Sequence, residues 1–193
     1  RETGVSLMRI VRELDAGPVA EIERVPITRH DTAIDIEAKL AAGCLPLLAR
    51  TLPALAAGTL DFREQNHAAA TFCRRLVKTD GALNFTAPAA VLAARVNGLH
   101  PWPSCRVQVA GESLRIGLAD STEGQADPGR VESGGADGLV VGTGQGLLRL
   151  LHLQRPGGRM LPAGEFLRGF PIPPGTLLPS EPMAVLVGPV PFR

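Results

Sequence analysis

Residues 105–154 read CRVQVAGESLRIGLADSTEGQADPGRVESGGADGLVVGTGQGLLRLLHLQ, and how this stretch is divided decides the fold. Five short β-like runs stand out: CRVQVA, SLRIGLA, GRVES, GLVVGTG and GLLRLLHLQ. The connections between them are rich in Gly and Asp, the residues that make tight turns at little steric cost. Five strands of this length in about fifty residues suit an open Greek-key barrel of the OB type.

Outward from this stretch, PAAVLAARVNGL predicts a helix capped by Thr86, with Pro88 tolerated in the first turn and Gly98 ending it. Trp102, the only tryptophan, stands between Pro101 and Pro103 and is expected to plug the barrel entry, with base stacking as the other role open to it. Downstream, a short helix is expected near EFLRG, followed by an extended, surface-wrapped tail, PIPPGTLLPSEP.

The front of the chain has a different rhythm. GVSLMRIV and VAEIERVPI read as two strands joined by the loop RELDAGP, in which Gly17 and Pro18 make the turn. A helix should run over about 32–57, with Ile36, Leu40, Cys44, Leu47, Leu48, Leu52 and Leu55 on one face. Pro46 and Pro53 predict a kink or two helical pieces. Residues 59–87 read as a connector with a short helix near 67–77. The fold class is therefore α/β followed by all-β, with domains expected at 1–64 and 86–193 and a linker at 65–85.

Of the 193 residues, 45% are apolar, which is ordinary for a globular protein, and 20% are charged, which is slightly low. The formal net charge of +1 gives no global steering field. Residues 1–64 hold 8 basic and 10 acidic side chains, and residues 65–193 hold 12 and 9. The rear is thus mildly basic, which permits a nucleic-acid partner. Cys44, Cys73 and Cys105 are scattered, suit a reducing compartment, and are expected to be buried small hydrophobes. No histidine lies near them at metal-ligand spacing, so no metal is expected. No leader and no apolar run long enough to cross a bilayer is read from the sequence. Arg1 stands first, with strand-like sequence directly after it, so the chain reads as the rear portion of a longer protein.

Asp15, before Ala-Gly-Pro, is either a polar turn residue or a reactive carboxylate on a strand-end loop. The blocks ETGVSLMRIVRELDAGPV (2–19), ATFCRRLVKTDGALNF (70–85), VNGLHPWPS (96–104) and LQRPGGRMLPAGEFLRG (153–169) resemble the methionyl-tRNA formyltransferases, in the order that family shows them. The resemblance implies a Rossmann-like formyltransferase domain, present here in its rear part, followed by an OB-like barrel. It implies transfer of a formyl group from 10-formyltetrahydrofolate to methionine on initiator tRNA, by a cytoplasmic enzyme expected to be a monomer with no membrane attachment. Of the family's catalytic asparagine, histidine and aspartate, only the aspartate has a counterpart here, Asp15. The backbone of Val11, Arg12, Glu13 and Leu14 would line the pterin pocket.

Arg74, Arg75 and Lys78 are expected to cluster on the connector helix and contact RNA phosphates, with a solvated face as the alternative. Arg106, Arg155 and Arg159 could line the barrel face toward RNA, and the four histidines carry no partner pattern. Two other readings stay open: an OB-like RNA-binding module without turnover, and a formyltransferase acting on another amine.

Overall fold

The structure, a computed structural model, describes residues 1–192. In chain order its elements are β1 (Glu2–Met8), β2 (Val19–Pro26), α1 (Ala33–Ala56), β3 (Phe72–Cys73), α2 (Ala89–Gly98), β4 (Cys105–Val109), β5 (Glu112–Thr122), β6 (Val131–Gly135), β7 (Gly138–Gly142), β8 (Leu147–Gln154), β9 (Leu161–Pro162), α3 (Ala163–Gly169) and β10 (Val187–Gly188). They form two compact units. Unit 1 holds Arg1–Thr28, Ile34–Arg74 and the stretch from Val187; unit 2 holds Arg29–Ala33 and Arg75–Leu186.

In unit 1, β1 and β2 form an antiparallel hairpin, and β3 pairs antiparallel with β10. The described residues therefore show no parallel sheet of the Rossmann kind. Helix α1 runs without a break through both Pro46 and Pro53, so the expected division into two pieces is not found. Its apolar stripe is wider than one contact. Leu47 and Thr51 are buried, and a Cβ on Gly43 would lie 3.6 Å from Val25 and 4.0 Å from Val5, so that side of α1 packs on the hairpin. Leu45, Leu48, Leu52 and Leu55 remain exposed. By length and composition α1 also reaches what a bilayer crossing needs, contrary to the sequence expectation. Arg50 within it is ion-paired with Glu21 and Glu23 of β2, which fixes the helix against the sheet.

Unit 2 is built on the predicted strands. Each appears, and they form one antiparallel sheet in the order β4-β5-β8-β7-β6, with β9 added to β8. Strands β6, β7 and β8 follow one another as hairpin neighbours, and β8 pairs on its other side with β5, which is Greek-key connectivity. The expected barrel is not closed. Both edge strands, β4 and β6, are five residues long. The groups of β6 that closure would use are taken by the tail instead: Thr176 O accepts from Val131 N at 2.9 Å, and Val131 O accepts from Gly175 N at 2.7 Å. The tail is extended as expected, but it also supplies Ile172 and Leu178 to the core rather than only covering the surface.

Alternation along β4 buries Cys105, Val107 and Val109 and exposes Arg106 and Gln108. The buried face of the sheet meets Leu92 and Val96 of α2 and Phe166 of α3, with Leu83 and Phe85 from the segment before α2. Helix α2 begins at Ala89, not after Thr86: the Asn84 Oδ1 accepts from both the Thr86 N and its hydroxyl, forming a turn ahead of the helix. Buried Asn97 bonds both N and O of Ala119, at 2.9 and 3.0 Å, where the ladder of β5 is irregular.

Candidate functional site

The loop between β1 and β2 is held rigidly. Arg9 N donates to Pro18 O at 3.0 Å, and Gln65 Nε2 donates to the carbonyls of Asp15 and Gly17 at 2.8 and 2.7 Å. The segment carrying Gln65 is itself pinned, since Val19 and Arg63 exchange backbone hydrogen bonds of 2.8 and 2.9 Å and the Arg9 guanidinium lies 4.2 Å from the Phe62 ring centroid. Gly17 is required by space: a Cβ there would stand 1.9 Å from Arg9 O. Asp15 occupies left-handed backbone at φ 53°, a conformation that Asp tolerates better than most residues.

This arrangement presents the Asp15 carboxylate to solvent, where it makes no hydrogen bond or ion pair among the described residues. Val11, Arg12, Glu13 and Leu14 are exposed with it, and the side chains of Ile10 and Leu14 are more than 90% exposed. A cleft of about 500 Å³ in unit 1 is lined by Val19–Ile22, Arg24 and Arg63–Asn66, and residues 11–15 do not contribute to it. The loop is thus a preformed backbone surface with apolar side chains turned outward, and Asp15 is its only free carboxylate apart from Glu13.

The expected basic cluster is arranged differently from the sequence reading. The span 67–77 is not helical throughout: a single 3-10 turn covers His67–Ala69, β3 follows, and a second 3-10 turn covers Lys78–Gly81. Arg74 and Arg75 therefore lie on extended chain, Arg74 in unit 1 and Arg75 in unit 2. Lys78 lines a cleft of about 600 Å³ together with Arg106, Gln108, Ser113, Pro103 and Glu181. Lys78, Arg106 and Arg159 make no ion pair among the described residues. Arg155 is committed elsewhere, paired through its guanidinium with both oxygens of Glu112 and stacked 5.0 Å from the Phe170 ring centroid. The Glu112 carboxyl is held below its usual range by that hydrogen bond.

Three residue readings are corrected. Trp102 is 55% exposed and does not plug the core. Cys73 is exposed and Cys44 half-buried; only Cys105 is buried, and desolvation pushes its thiol up to about 12, which makes it inert. His30 has a partner the sequence gave no sign of. Asp120 of β5, 2% exposed, receives Arg29, Ser121 N at 2.8 Å, His30 Nε2 at 3.1 Å and Arg149 Nη2 at 3.0 Å. Burial alone would raise the Asp120 pKa, but the hydrogen bonds from Arg29, His30 and Arg149 outweigh it and hold the carboxyl at about 2. These partners come from residues 29, 30 and 149, too far apart in sequence for any spacing rule to link them. No group of His, Cys, Asp and Glu able to hold a metal occurs among the described residues.

Known proteins resemble the chain along most of its length. A methionyl-tRNA formyltransferase of Burkholderia thailandensis is 38% identical over 177 residues, covering 90% of this chain and 54% of that protein. One from Methylobacillus flagellatus is 36% identical over 176 residues, covering 91% and 57%. The chain thus spans about half the length of the curated relatives it matches. Among solved structures, a HypX variant from Aquifex aeolicus superposes with a TM-score of 0.64 at 18% identity, covering 88% of this chain and 31% of that one. An N-formyltransferase from Helicobacter canadensis, in complex with folinic acid and dTDP-3-aminofucose, gives 0.61 at 16% identity, covering 77% and 55%. At such identities these structures speak for the fold alone. The family model described as formyl transferase, C-terminal domain, matches residues 75–171, and the chain belongs to that family.

Proposed function

We propose that this chain is the rear part of an enzyme that moves a formyl group from 10-formyltetrahydrofolate to the amino group of methionine on initiator tRNA. The observation that carries the reading is the 38% identity, over 90% of the chain, to a relative bearing that activity in its name. In the reaction a C–N bond forms to the methionine nitrogen while the formyl–N bond of the folate breaks. The attacking amine gives up a proton and the folate nitrogen takes one. Asp15 acts here by orienting an imidazole supplied by the remainder of the enzyme and by favouring its protonated form. The fixed backbone of Val11, Arg12, Glu13 and Leu14 offers N–H and C=O groups to the pterin edge, and the exposed side chains of Val11 and Leu14 give the pocket its apolar wall. Rigid placement of such a loop is what proximity catalysis needs.

In this reading unit 2 is an OB-like platform, Greek-key but unclosed, that holds the tRNA through Arg75, Lys78, Arg106 and Arg159, and Arg74 of unit 1 adds a further phosphate contact. Arg155 contributes by packing rather than by free charge. The enzyme works as a monomer in the cytoplasm, without metal or membrane attachment. The test is transfer of labelled formyl to charged initiator tRNA by the complete gene product. Asp15→Asn is expected to lower turnover by about 10²–10⁴-fold while tRNA affinity stays unchanged. Unaltered turnover in that variant removes Asp15 from the chemistry.

A further inference from the structure

The sequence contains one tryptophan, and unit 2 leaves it in water. Trp102 stands on a tight turn whose flanks are fixed: Ser104 N donates to Leu99 O at 2.9 Å, the fully buried Ser104 hydroxyl donates to Ile116 O at 3.3 Å, and Pro103 is buried. The indole is therefore displayed by a rigid support at 55% exposure, although burial of so large a ring would have been favourable.

The charge beside it is just as unusual. Arg106 of β4 lies directly opposite Arg115 of β5 in the antiparallel register. Like charges at paired positions are destabilising when nothing neutralises them. Arg115 is fixed by donating to Pro101 O at 2.9 Å and to Gln154 Oε1 at 3.1 Å, both neutral acceptors, so its charge remains uncompensated and points along the Trp102 turn. Glu112, the nearest acid on β5, is already bound by Arg155. Arg106 shares its cleft with Lys78, with the polar side chains of Gln108 and Ser113, and with one carboxylate, Glu181. Pro103, next to Trp102, lines the same cleft. The turn that displays Trp102 is thus flanked by cations: Arg115 is bound to Pro101 on one side of it, and the cleft of Lys78 and Arg106 includes Pro103 on the other, along edge strand β4.

The geometry points to a site for a single-stranded stretch of RNA, with one base stacked on Trp102 and the adjoining phosphates held by Arg106, Arg115 and Lys78. Stacking on an indole asks for an unpaired base, because only then is a π-face free. Arginines at paired positions, with Lys78 beside them and a single carboxylate, Glu181, in the cleft, leave an excess of positive charge that asks for an anion. This deepens the tRNA reading above and rests on it for the source of the RNA.

The chain has no tyrosine, so Trp102 is its dominant intrinsic fluorophore and reports on its own occupancy. Titration of the 193-residue chain with hexa-adenylate RNA is expected to quench that fluorescence, and end-labelled hexa-adenylate should bind Trp102→Ala about 10-fold more weakly. Arg106→Gln should keep the quench and lower the salt slope by about 0.7 for the lost phosphate contact. A hexaglutamate peptide should leave the fluorescence unchanged. Equal quenching by that peptide assigns the surface to an acidic protein partner and overturns the proposal, as does unchanged RNA affinity in Trp102→Ala. Formyl transfer by the complete gene product is measured alongside. Transfer without quenching refutes the site and spares the enzyme reading; quenching without transfer does the reverse.

Discussion

Asp120 is the residue on which the electrostatics of unit 2 converge. A carboxylate with 3% of its side chain exposed is tolerated because Arg29, Arg149, His30 and Ser121 N between them satisfy both oxygens. Its folded pKa of about 2 lies below the ordinary 3.8, so the stability it contributes is present above pH 3.8 and is lost as pH falls toward 2. Asp120→Asn should lower stability at neutral pH by about 2 kcal/mol and flatten the acid limb of a denaturation-midpoint profile. A profile unchanged from the parent would assign the acid sensitivity to other carboxylates. Asp15 is the opposite case, a carboxylate whose backbone is held by Gln65 and whose side chain is left in solvent.

At the scale of elements, the strands of unit 2 were legible because alternation and Gly-rich turns are local signals. Val107, Leu114, Ile116 and Leu150 all face the core as their patterns require. Barrel closure was not legible, since it depends on whether β4 or the tail reaches β6, a competition between segments more than 40 residues apart that no local pattern encodes. The connector was misread for a related reason: FCRRLV has a helix-like apolar spacing, yet Phe72 and Cys73 find strand partners in Gly188 and Val187. In α1 the apolar stripe was read correctly, but which part of it packs was not. The LDAGP loop was placed from its turn chemistry, whereas its anchor Gln65 came from a stretch with no pattern. The α1 contact predicts a sharp contrast. Leu47→Ala should cost about 2–3 kcal/mol in chemical denaturation of unit 1, and Leu45→Ala, at 73% exposure, less than about 0.5 kcal/mol. Equal losses would mean that the helix does not rest on the hairpin by this face.

Across the whole molecule the two units differ in how their apolar surface is spent. Unit 2 encloses a contiguous core from Leu83 to Leu178. Unit 1 buries Val25 and Leu47 but leaves Ile10, Leu14, Leu45, Leu52 and Leu55 exposed. Local stability follows buried contacts, so amides of β1, β2 and α1 should exchange with deuterium well before those of β5 and β8. Uniform protection in both units would contradict that ordering. A quieter consequence follows from Asn97, which is followed by Gly98 at the end of α2. Asn-Gly pairs in mobile chain cyclise to succinimide and leave aspartate behind, because the glycine nitrogen can swing onto the side-chain carbonyl. Here the amide is clasped by Ala119 on both its atoms, which denies it that swing. Chemical ageing at this position is thereby coupled to opening of the strand it grips, and the extent of aspartate formed there would register how often the sheet has come apart during the life of the molecule.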